Sequence, residues 1–194
     1  MLRSAVAFVP KDPIFFAGTV RQNLDPLGSY CDHGSDATLW ATLEAVSLGK
    51  RSQGLWQSGL DAQVEPNGGS GEHLNAYERQ LVCVARAALR QPRVVVLEEA
   101  SAGASPSFHS AENSSLLRAM RSPAFGGCTV LAATRHPGVL LDAADQVVVL
   151  ENGLVVESGS PTDLLVNSQS RLFAIRNAPA SSSPANEEAQ KART

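Results

Sequence analysis

Two adjacent carboxylates, Glu98 and Glu99, are the side chains of this sequence that are best placed to do chemistry. They directly follow residues 94–97 (VVVL), an apolar run that suits a central parallel strand covered on both faces. Reacting groups in α/β proteins gather at the carboxyl ends of such strands. The pattern predicts that this strand presents both acids to a site. The alternative is that the two acids merely end the strand.

The segment before this strand predicts a helix with one apolar face on the core. Apolar side chains recur at helical spacing, and arginines occupy the remaining face. The apolar residues are Leu81, Val82, Val84, Ala85, Ala88 and Leu89, and the arginines are Arg79, Arg86 and Arg90. Pro92 ends the helix, because proline has no N–H and disfavours helical geometry in the residue before it.

Further elements are needed to position these side chains. Buried strands are predicted at 4–10 and 128–134, a helix at 36–48 with Asp36 as N-cap, a helix at 106–121 that begins at Pro106, and a hairpin over 146–158. Asn152-Gly153 between apolar runs is the strongest short-range signal for a hairpin turn. Residues 54–73 are rich in Gly, Ser and Asn and predict loop. Residues 178–194 are mostly Ala, Ser, Pro and charge and predict a disordered tail.

The overall composition excludes several classes of protein. A chain of 194 residues, 43% hydrophobic and 18% charged, is long enough for one domain with a sizeable core. A net charge of −3 argues against nucleic acid as a partner, because phosphate binding needs a concentrated basic surface. No apolar run approaches the roughly 18 residues that span a bilayer, and the N-terminus lacks the features of a secretory signal. Cys31, Cys83 and Cys128 show no CxxC spacing, which favours reduced cytosolic thiols.

Several motifs together resemble the nucleotide-binding domain of an ABC transporter, in particular the second such domain of the multidrug-resistance-associated subfamily (subfamily C). Residues 10–26 (PKDPIFFAGTVRQNLDP) are similar to the family's Q-loop and its continuation, and Asn-Leu-Asp-Pro is characteristic of the subfamily. Residues 74–81 (LNAYERQL) correspond to the signature motif, 85–90 (ARAALR) to the helix that follows, 98–101 (EEAS) to the end of Walker B and 159–165 (GSPTDLL) to a C-terminal motif.

The resemblance implies an α/β fold. It would be an incomplete P-loop NTPase-like (ABC ATPase) domain over residues 1–177, with a mostly parallel sheet, a helical subdomain over about residues 25–90 and a C-terminal β-hairpin. The tail at 178–194 would lie outside this domain.

The resemblance also implies roles for the two acids and for two loops. Glu99 matches the family's catalytic base, which polarises the attacking water, and Glu98 replaces the aspartate that positions Mg²⁺. Ser105 replaces the D-loop aspartate that communicates with the opposite site of the dimer. Lys11 replaces the Q-loop glutamine, and an ammonium group cannot ligate a metal. It either contacts a phosphate or is a solvated surface lysine.

The signature motif and the switch region carry the other nucleotide-binding candidates. In the family, each signature motif caps the ATP that the partner domain holds. Asn75 keeps a hydrogen-bonding side chain there and Glu78 stands in place of a glutamine, whereas Tyr77 puts a ring where glycine lets the backbone approach phosphate. Arg135 aligns with the switch histidine, and His136 lies one position later, where an extended segment points its side chain the other way.

The sequence contains no Gly-x-x-x-x-Gly-Lys-Ser/Thr motif. That P-loop holds the β- and γ-phosphates and Mg²⁺ in the family, so its absence removes most of the affinity for nucleotide. We expect the chain to be the C-terminal part of a longer transporter. Since the P-loop strand lies inside the family's sheet, we also expect the isolated chain to be poorly stable.

Two functional hypotheses follow from the resemblance. The first is a partial, degenerate ATP-binding domain that by descent couples ATP binding and hydrolysis to transmembrane transport, with this chain alone inactive. The second is a non-catalytic regulatory or scaffolding domain that pairs with an intact partner. Both imply ATP and Mg²⁺ as cofactors, a second nucleotide-binding domain and transmembrane domains as partners, and a place at the cytoplasmic face of a membrane, or in the cytoplasm if the chain is expressed alone. An unrelated Ser/His/Asp hydrolase would need a Gly-x-Ser-x-Gly elbow, which the sequence lacks.

Overall fold

The computed structural model describes residues 5–30, 36–49, 58–65, 74–98, 119–135 and 137–178. The chain divides into two compact units, Met1–Arg135 and His136–Thr194. Three predicted site residues, Glu99, Ser105 and His136, lie outside the described residues. Most of the helix predicted at 106–121 and all but the first residue of the tail predicted at 178–194 lie outside them too.

The first unit combines a small parallel sheet with helices. Its described elements are β1 (Val6–Val9), β2 (Gly18–Thr19), α1 (Val20–Leu24), α2 (Ala37–Ala45), β3 (Gln63–Val64), α3 (Ala76–Leu89), β4 (Val94–Glu98) and β5 (Thr129–Ala133), with 3₁₀ turns at Gly59–Asp61 and Pro123–Phe125. The parallel sheet has the order β1-β4-β5, and β2 pairs antiparallel with β3. This arrangement fits a P-loop NTPase-like fold. The short strand β3 and the turn at Gly59–Asp61 fall in a region that the sequence predicted as loop.

The two faces of the parallel sheet differ in burial. Ala7, Val9, Val95 and Leu97 share one face and are at most 5% exposed, and α3 packs against β1. On the opposite face, Phe8 is 60% and Leu131 is 55% exposed, and the two side chains flank Val96 in register. β4 is central, as predicted, but Val94 and Val96 are only half-buried. The prediction that β5 is a buried strand is wrong, since its residues are half-buried or exposed.

The direction of the chain across the sheet explains this asymmetry. β1, β4 and β5 follow one another in a single direction across the sheet, and right-handed crossovers between strands in such an order generally lie on one face. The 3₁₀ turn Pro123–Phe125, which leads into β5, contacts α3 and so agrees with this rule. An apolar run indicates that both faces of a strand can be buried, but it does not indicate which segment packs on each face.

Helix α3 confirms the helix predicted before β4. It begins after the N-cap Asn75 and ends at Leu89, and Val82, Val84 and Ala85 on its apolar face are fully buried. Gln91 then turns the chain with a positive φ of 45°, immediately before Pro92. The helix also packs against α1 and α2, so it forms the centre of the first unit.

Arg21 on α1 ties three segments of the first unit together. Its guanidinium donates to both carboxylate oxygens of Asp36 and, through Nε, to Asp61 at 3.1 Å. Asp36 occupies the N-cap position of α2, as predicted, but its side chain makes no capping hydrogen bond. The predicted side-chain cap is therefore wrong, because the carboxylate is bound by Arg21. The same hydrogen bonds hold the pKa of Asp36 below its usual range.

The second unit is built on the predicted hairpin, which the structure confirms. A 3₁₀ segment at Gly138–Asp142 leads into β6 (Val147–Glu151) and β7 (Leu154–Gly159), followed by α4 (Pro161–Val166) and α5 (Arg171–Asn177). The turn residues Asn152 and Gly153 both have positive φ, 50° and 79°, as a type I′ turn requires. Leu141, Val149 and Leu172 form a small buried core. Within the described ranges of the whole chain, every helix is too short or too polar to cross a bilayer.

Glu157 on β7 anchors the start of α5. Its Oε2 accepts a hydrogen bond from the backbone N–H of Leu172 at 3.0 Å and from Ser170 Oγ at 2.9 Å. The backbone N–H of Leu172, with further help from Ser170 and Arg171, holds the pKa of Glu157 below its usual range. The ionised carboxylate therefore stabilises the docked position of α5 against the hairpin.

We expect the second unit to lose stability in acid through Glu157. Because its folded pKa is depressed, its contribution is fully present above the unfolded pKa of about 4.3 and disappears as the pH falls through the lower folded pKa. Hydrogen exchange of the Leu172 amide, followed from neutral to acidic pH, measures the effect, and Glu157→Gln should flatten the acid limb. Glu151→Gln is the control: it removes only a surface ion pair with Arg171, which contributes little. An acid limb of the same steepness in wild type and Glu157→Gln would contradict the prediction.

Candidate functional site

The carboxyl end of β4 brings together two of the predicted site residues. Glu98 is the last residue of the strand, and its Oε2 lies 3.4 Å from the backbone N of Lys11, which follows β1. Because β1 and β4 are parallel neighbours, their carboxyl ends meet at the same edge of the sheet. Both residues are exposed. The pair therefore presents one carboxylate and one ammonium-bearing loop to solvent.

This edge does not by itself amount to a metal site. Mg²⁺ in nucleotide enzymes is held by one or two carboxylates together with phosphate oxygens and water. Glu98 offers one carboxylate, but it already accepts a long hydrogen bond from Lys11, and the Lys11 ammonium is a donor only. Among the described residues, no three His, Cys, Asp or Glu side chains converge. Glu98 could contribute one ligand to Mg²⁺ only if the phosphates and the other ligands came from elsewhere.

The N-terminus of α3 carries three further candidates, and two of them bond to each other. Asn75 Oδ1 accepts from the backbone N–H of Glu78 at 2.8 Å, and Glu78 Oε2 accepts from the backbone N–H of Asn75 at 3.0 Å. This reciprocal pair is a capping box. Glu78 is only 4% exposed, so its carboxylate sits at the opening of the helix rather than in solvent.

A capping box of this shape forms with either Glu or Gln at its fourth position. The family's glutamine and the Glu78 of this chain therefore differ in charge rather than in geometry. The N-terminus of a helix attracts anions through its free N–H groups and the positive end of its dipole. Here two of those N–H groups are bonded internally, and a carboxylate already supplies the negative charge. The residues present do not fit the γ-phosphate that the signature motif holds in the family.

Tyr77 and Arg135 are the other predicted site residues that the structure describes. Tyr77 is buried, at 8% exposed, so its ring is packed within the protein instead of lying open on the surface. Arg135 is exposed and follows β5 by two residues. Glu99, Ser105 and His136 lie outside the described residues, so their predicted roles stay predictions.

The sequence did not predict the part played by two arginines of α3. Arg79 and Arg86 were assigned to the polar face, yet both lie near the ring of Phe15, with their Cζ atoms 5.2 Å and 5.9 Å from its centroid. Residues seven apart lie on the same side of a helix. The seven-residue spacing of Arg79 and Arg86 is therefore the signal in the sequence that they could share a partner.

The Asn-Leu-Asp-Pro motif has a structural role close to these arginines. Asn23 is fully buried and its side chain exchanges hydrogen bonds of 2.9 Å with the backbone N–H and C=O of Phe16. Asp25 accepts from the backbone N–H groups of Ser29 and Tyr30 at 3.0 Å and 2.6 Å. The motif thus fixes the two loops that flank α1.

Comparison with known proteins agrees with this reading of the motifs. No family model matches the chain. The chain is 37% identical over 172 residues to a probable multidrug resistance-associated protein, lethal(2)03659, of Drosophila melanogaster. It is 37% identical over 166 residues to the ATP-binding cassette sub-family C member 2 of Rattus norvegicus and 39% identical over 164 residues to sub-family C member 3 of Homo sapiens.

These matches cover most of this chain and a small part of each relative. They include 89%, 86% and 84% of the chain, but 12%, 10% and 10% of the respective relatives. The chain therefore spans about a tenth of the length of the curated relatives it matches. On the basis of these matches the chain belongs to subfamily C of the ABC transporters, the multidrug-resistance-associated group.

Proposed function

We propose that this chain is a degenerate nucleotide-binding-domain segment that serves an ABC transporter as a non-catalytic partner domain. The observation that carries the proposal is the capping box of Asn75 and Glu78 at the start of α3. It keeps the shape of a signature motif and places a negative charge where a phosphate would have to approach. The sequence also contains no P-loop motif to hold a nucleotide of its own.

The partners of such a domain follow from the named relatives. These are multidrug resistance-associated and ATP-binding cassette proteins by name, and we propose that this chain works beside an intact nucleotide-binding domain and transmembrane domains at the cytoplasmic face of a membrane. ATP and Mg²⁺ would then be bound by the intact domain. Any role of this chain in transport would pass through contacts between domains and not through its own chemistry.

The surface of the first unit supports a need for partners. The apolar face of the parallel sheet leaves Phe8 and Leu131 more than half exposed, whereas parallel sheets are normally covered on both faces. Among the described strands, β5 is also the last in the order β1-β4-β5, and it contains no charge or proline that would discourage pairing at its outer edge. We propose that a further helix and strand of the intact transporter complete this layer.

The loops on either side of α1 offer a second apolar surface. Ile14 and Phe16 before the helix are 62% and 52% exposed, and Leu27 and Tyr30 after it are 89% and 37% exposed. Asn23 and Asp25 fix the backbone of both loops, so these apolar side chains are held outward on a defined scaffold. An apolar surface of this kind suits an interaction with protein. We propose that the transmembrane domains dock here.

The test is nucleotide binding in a mixture with an intact nucleotide-binding domain of a subfamily C transporter. We expect wild-type chain to leave the partner's MgATP affinity and hydrolysis unchanged. The triple variant Asn75→Ser, Tyr77→Gly, Glu78→Gln restores the family's residues and should increase both, while Glu78→Gln alone isolates the charge because it keeps the capping box. An increase in ATP hydrolysis with wild-type chain would instead support a domain that takes part in turnover.

A further inference from the structure

We propose that Arg79 and Arg86 form a clamp on Phe15 that fixes the loop after Lys11 to helix α3, with Arg86 as the positioning residue. The proposal concerns the internal mechanics of the first unit and holds whether or not the chain meets a nucleotide. It goes beyond the proposed partner role, because it names the contacts through which the edge of the sheet and the signature helix move together.

Arg86 bonds directly to the loop and to α1. Its Nε donates to the backbone C=O of Asn23 at 2.7 Å, and its Nη1 donates to the backbone C=O of Ile14 at 3.2 Å. The first carbonyl belongs to α1 and the second to the loop that leads away from Lys11. One side chain of α3 therefore holds two segments that are 63 and 72 residues distant in sequence.

The charge of Arg86 is balanced by dipoles and rings. In the described part of the chain Arg86 has no carboxylate partner, and its Nη2 is buried without a hydrogen bond. Its Cζ lies 5.9 Å from the Phe15 centroid and 6.0 Å from that of Phe16, within the range of cation–π attraction. Two carbonyl oxygens and two ring faces thus keep the guanidinium at this position. A lysine could make only part of these contacts, because its ammonium group lacks the planar, forked geometry of the guanidinium.

Arg79 completes the clamp from the preceding turns of the helix. Its Nη2 donates to the backbone C=O of Glu65 at 2.9 Å and its Nε to that of Leu74 at 3.3 Å, while its Cζ lies over Phe15 at 5.2 Å. Phe15 is 7% exposed, so its ring is enclosed rather than resting on the surface. The ring is the common contact of two arginines on one side of α3.

The clamp connects the two clusters of the candidate site. Lys11 contacts Glu98 at the end of β4, and four residues later Phe15 is held by α3, the helix that begins at the Asn75–Glu78 capping box. A shift of the Lys11 loop must either carry α3 with it or break the hydrogen bond from Arg86 to the C=O of Ile14. The position of the loop and the position of the helix are therefore coupled through Arg86.

Hydrogen exchange of single amides in the full 194-residue chain tests this coupling. The Phe16 amide is the reporter, because it donates to Asn23 Oδ1 at 2.9 Å beside the carbonyl that Arg86 holds. Loss of a charged hydrogen bond is expected to speed its exchange about ten- to a hundredfold in Arg86→Ala. Arg86→Lys, which keeps the charge and at most part of the bonding, should give an intermediate value. Phe15→Leu should give a smaller increase, about two- to fivefold.

Two controls separate positioning from general destabilisation. Arg90→Ala removes an exposed arginine one turn further along and should leave Phe16 unchanged. The Tyr30 amide, which Asp25 binds without help from Arg86, should keep its protection in all variants. Equal acceleration of Phe16 and Tyr30 in the Arg86 variants would show a merely structural role and overturn the proposal. An unchanged Phe16 rate in Arg86→Ala, or an unprotected Phe16 in wild type, would overturn it as well.

Discussion

Replacing Leu97 with alanine should abolish the cooperative unfolding of the first unit or lower its free energy of unfolding by about 2–5 kcal/mol. Leu97 is 1% exposed on the central strand β4, and truncation leaves a cavity between strand and helix layer that a close-packed core cannot fill. Domains are stable by only about 5–15 kcal/mol. Phe8 and Leu131 on the opposite face of this sheet are more than half exposed, so that face contributes little burial and a loss of about 2–5 kcal/mol would be a large part of the unit's stability.

The matched control is Leu131→Ala on the neighbouring strand β5. Leu131 aligns with Val96 in register but is 55% exposed, so the same chemical change should cost less than about 0.5 kcal/mol. Urea unfolding followed by tryptophan fluorescence measures both variants in the first unit, because both tryptophans of the chain, Trp40 on α2 and Trp56, belong to that unit. Equal costs at the two positions would show that the face of Leu131 is covered in solution and would contradict the one-sided sheet.

The second large effect is expected from Leu172→Ala in the second unit. Leu172 is 2% exposed and packs with Leu141 and Val149, and these three residues are the buried core described for that unit. Removal of the side chain should lower the free energy of unfolding of the second unit by about 2–5 kcal/mol. A core this small does not provide enough stability for the unit to stay folded after such a loss. We expect rapid hydrogen exchange throughout the hairpin β6–β7, with unchanged exchange in α3.

Ile175→Ala on the same helix α5 is the control for this prediction. Ile175 is 40% exposed, so its truncation should leave most of the hairpin's protection in place. If Leu172→Ala and Ile175→Ala were equivalent, the second unit would not depend on this core. If Leu172→Ala also accelerated hydrogen exchange in α3, the two units would unfold together and not independently.

The elements that the sequence predicted correctly are those that short-range rules determine. The hairpin at Asn152-Gly153 follows from the positive φ that these residues tolerate. Helix α3 follows from apolar spacing and from the break before Pro92. The exposure of β5 could not be predicted in this way, because the apolar run at residues 128–134 indicates only that this strand can be buried. Whether the covering layer lies within this chain is a property of topology.

The candidate site shows the same limit at the level of single residues. The sequence predicted that Glu98 ends a strand, and the structure places it there beside Lys11. The sequence could not predict that Asp36 gives its carboxylate to Arg21, because an N-cap is a local rule whereas that ion pair joins segments fifteen residues apart. The clamp on Phe15 was missed for the same reason, since its contacts join α3 to a loop more than sixty residues away.

The central claim is that this chain has no working nucleotide site of its own, and calorimetric titration of the purified chain with MgATP tests it most directly. The absence of a P-loop motif from the sequence predicts no saturable binding tighter than about 1 mM, and Glu78→Gln, which changes only the charge of the capping box, should leave that result unchanged. A dissociation constant for wild-type chain in the micromolar range would contradict the account.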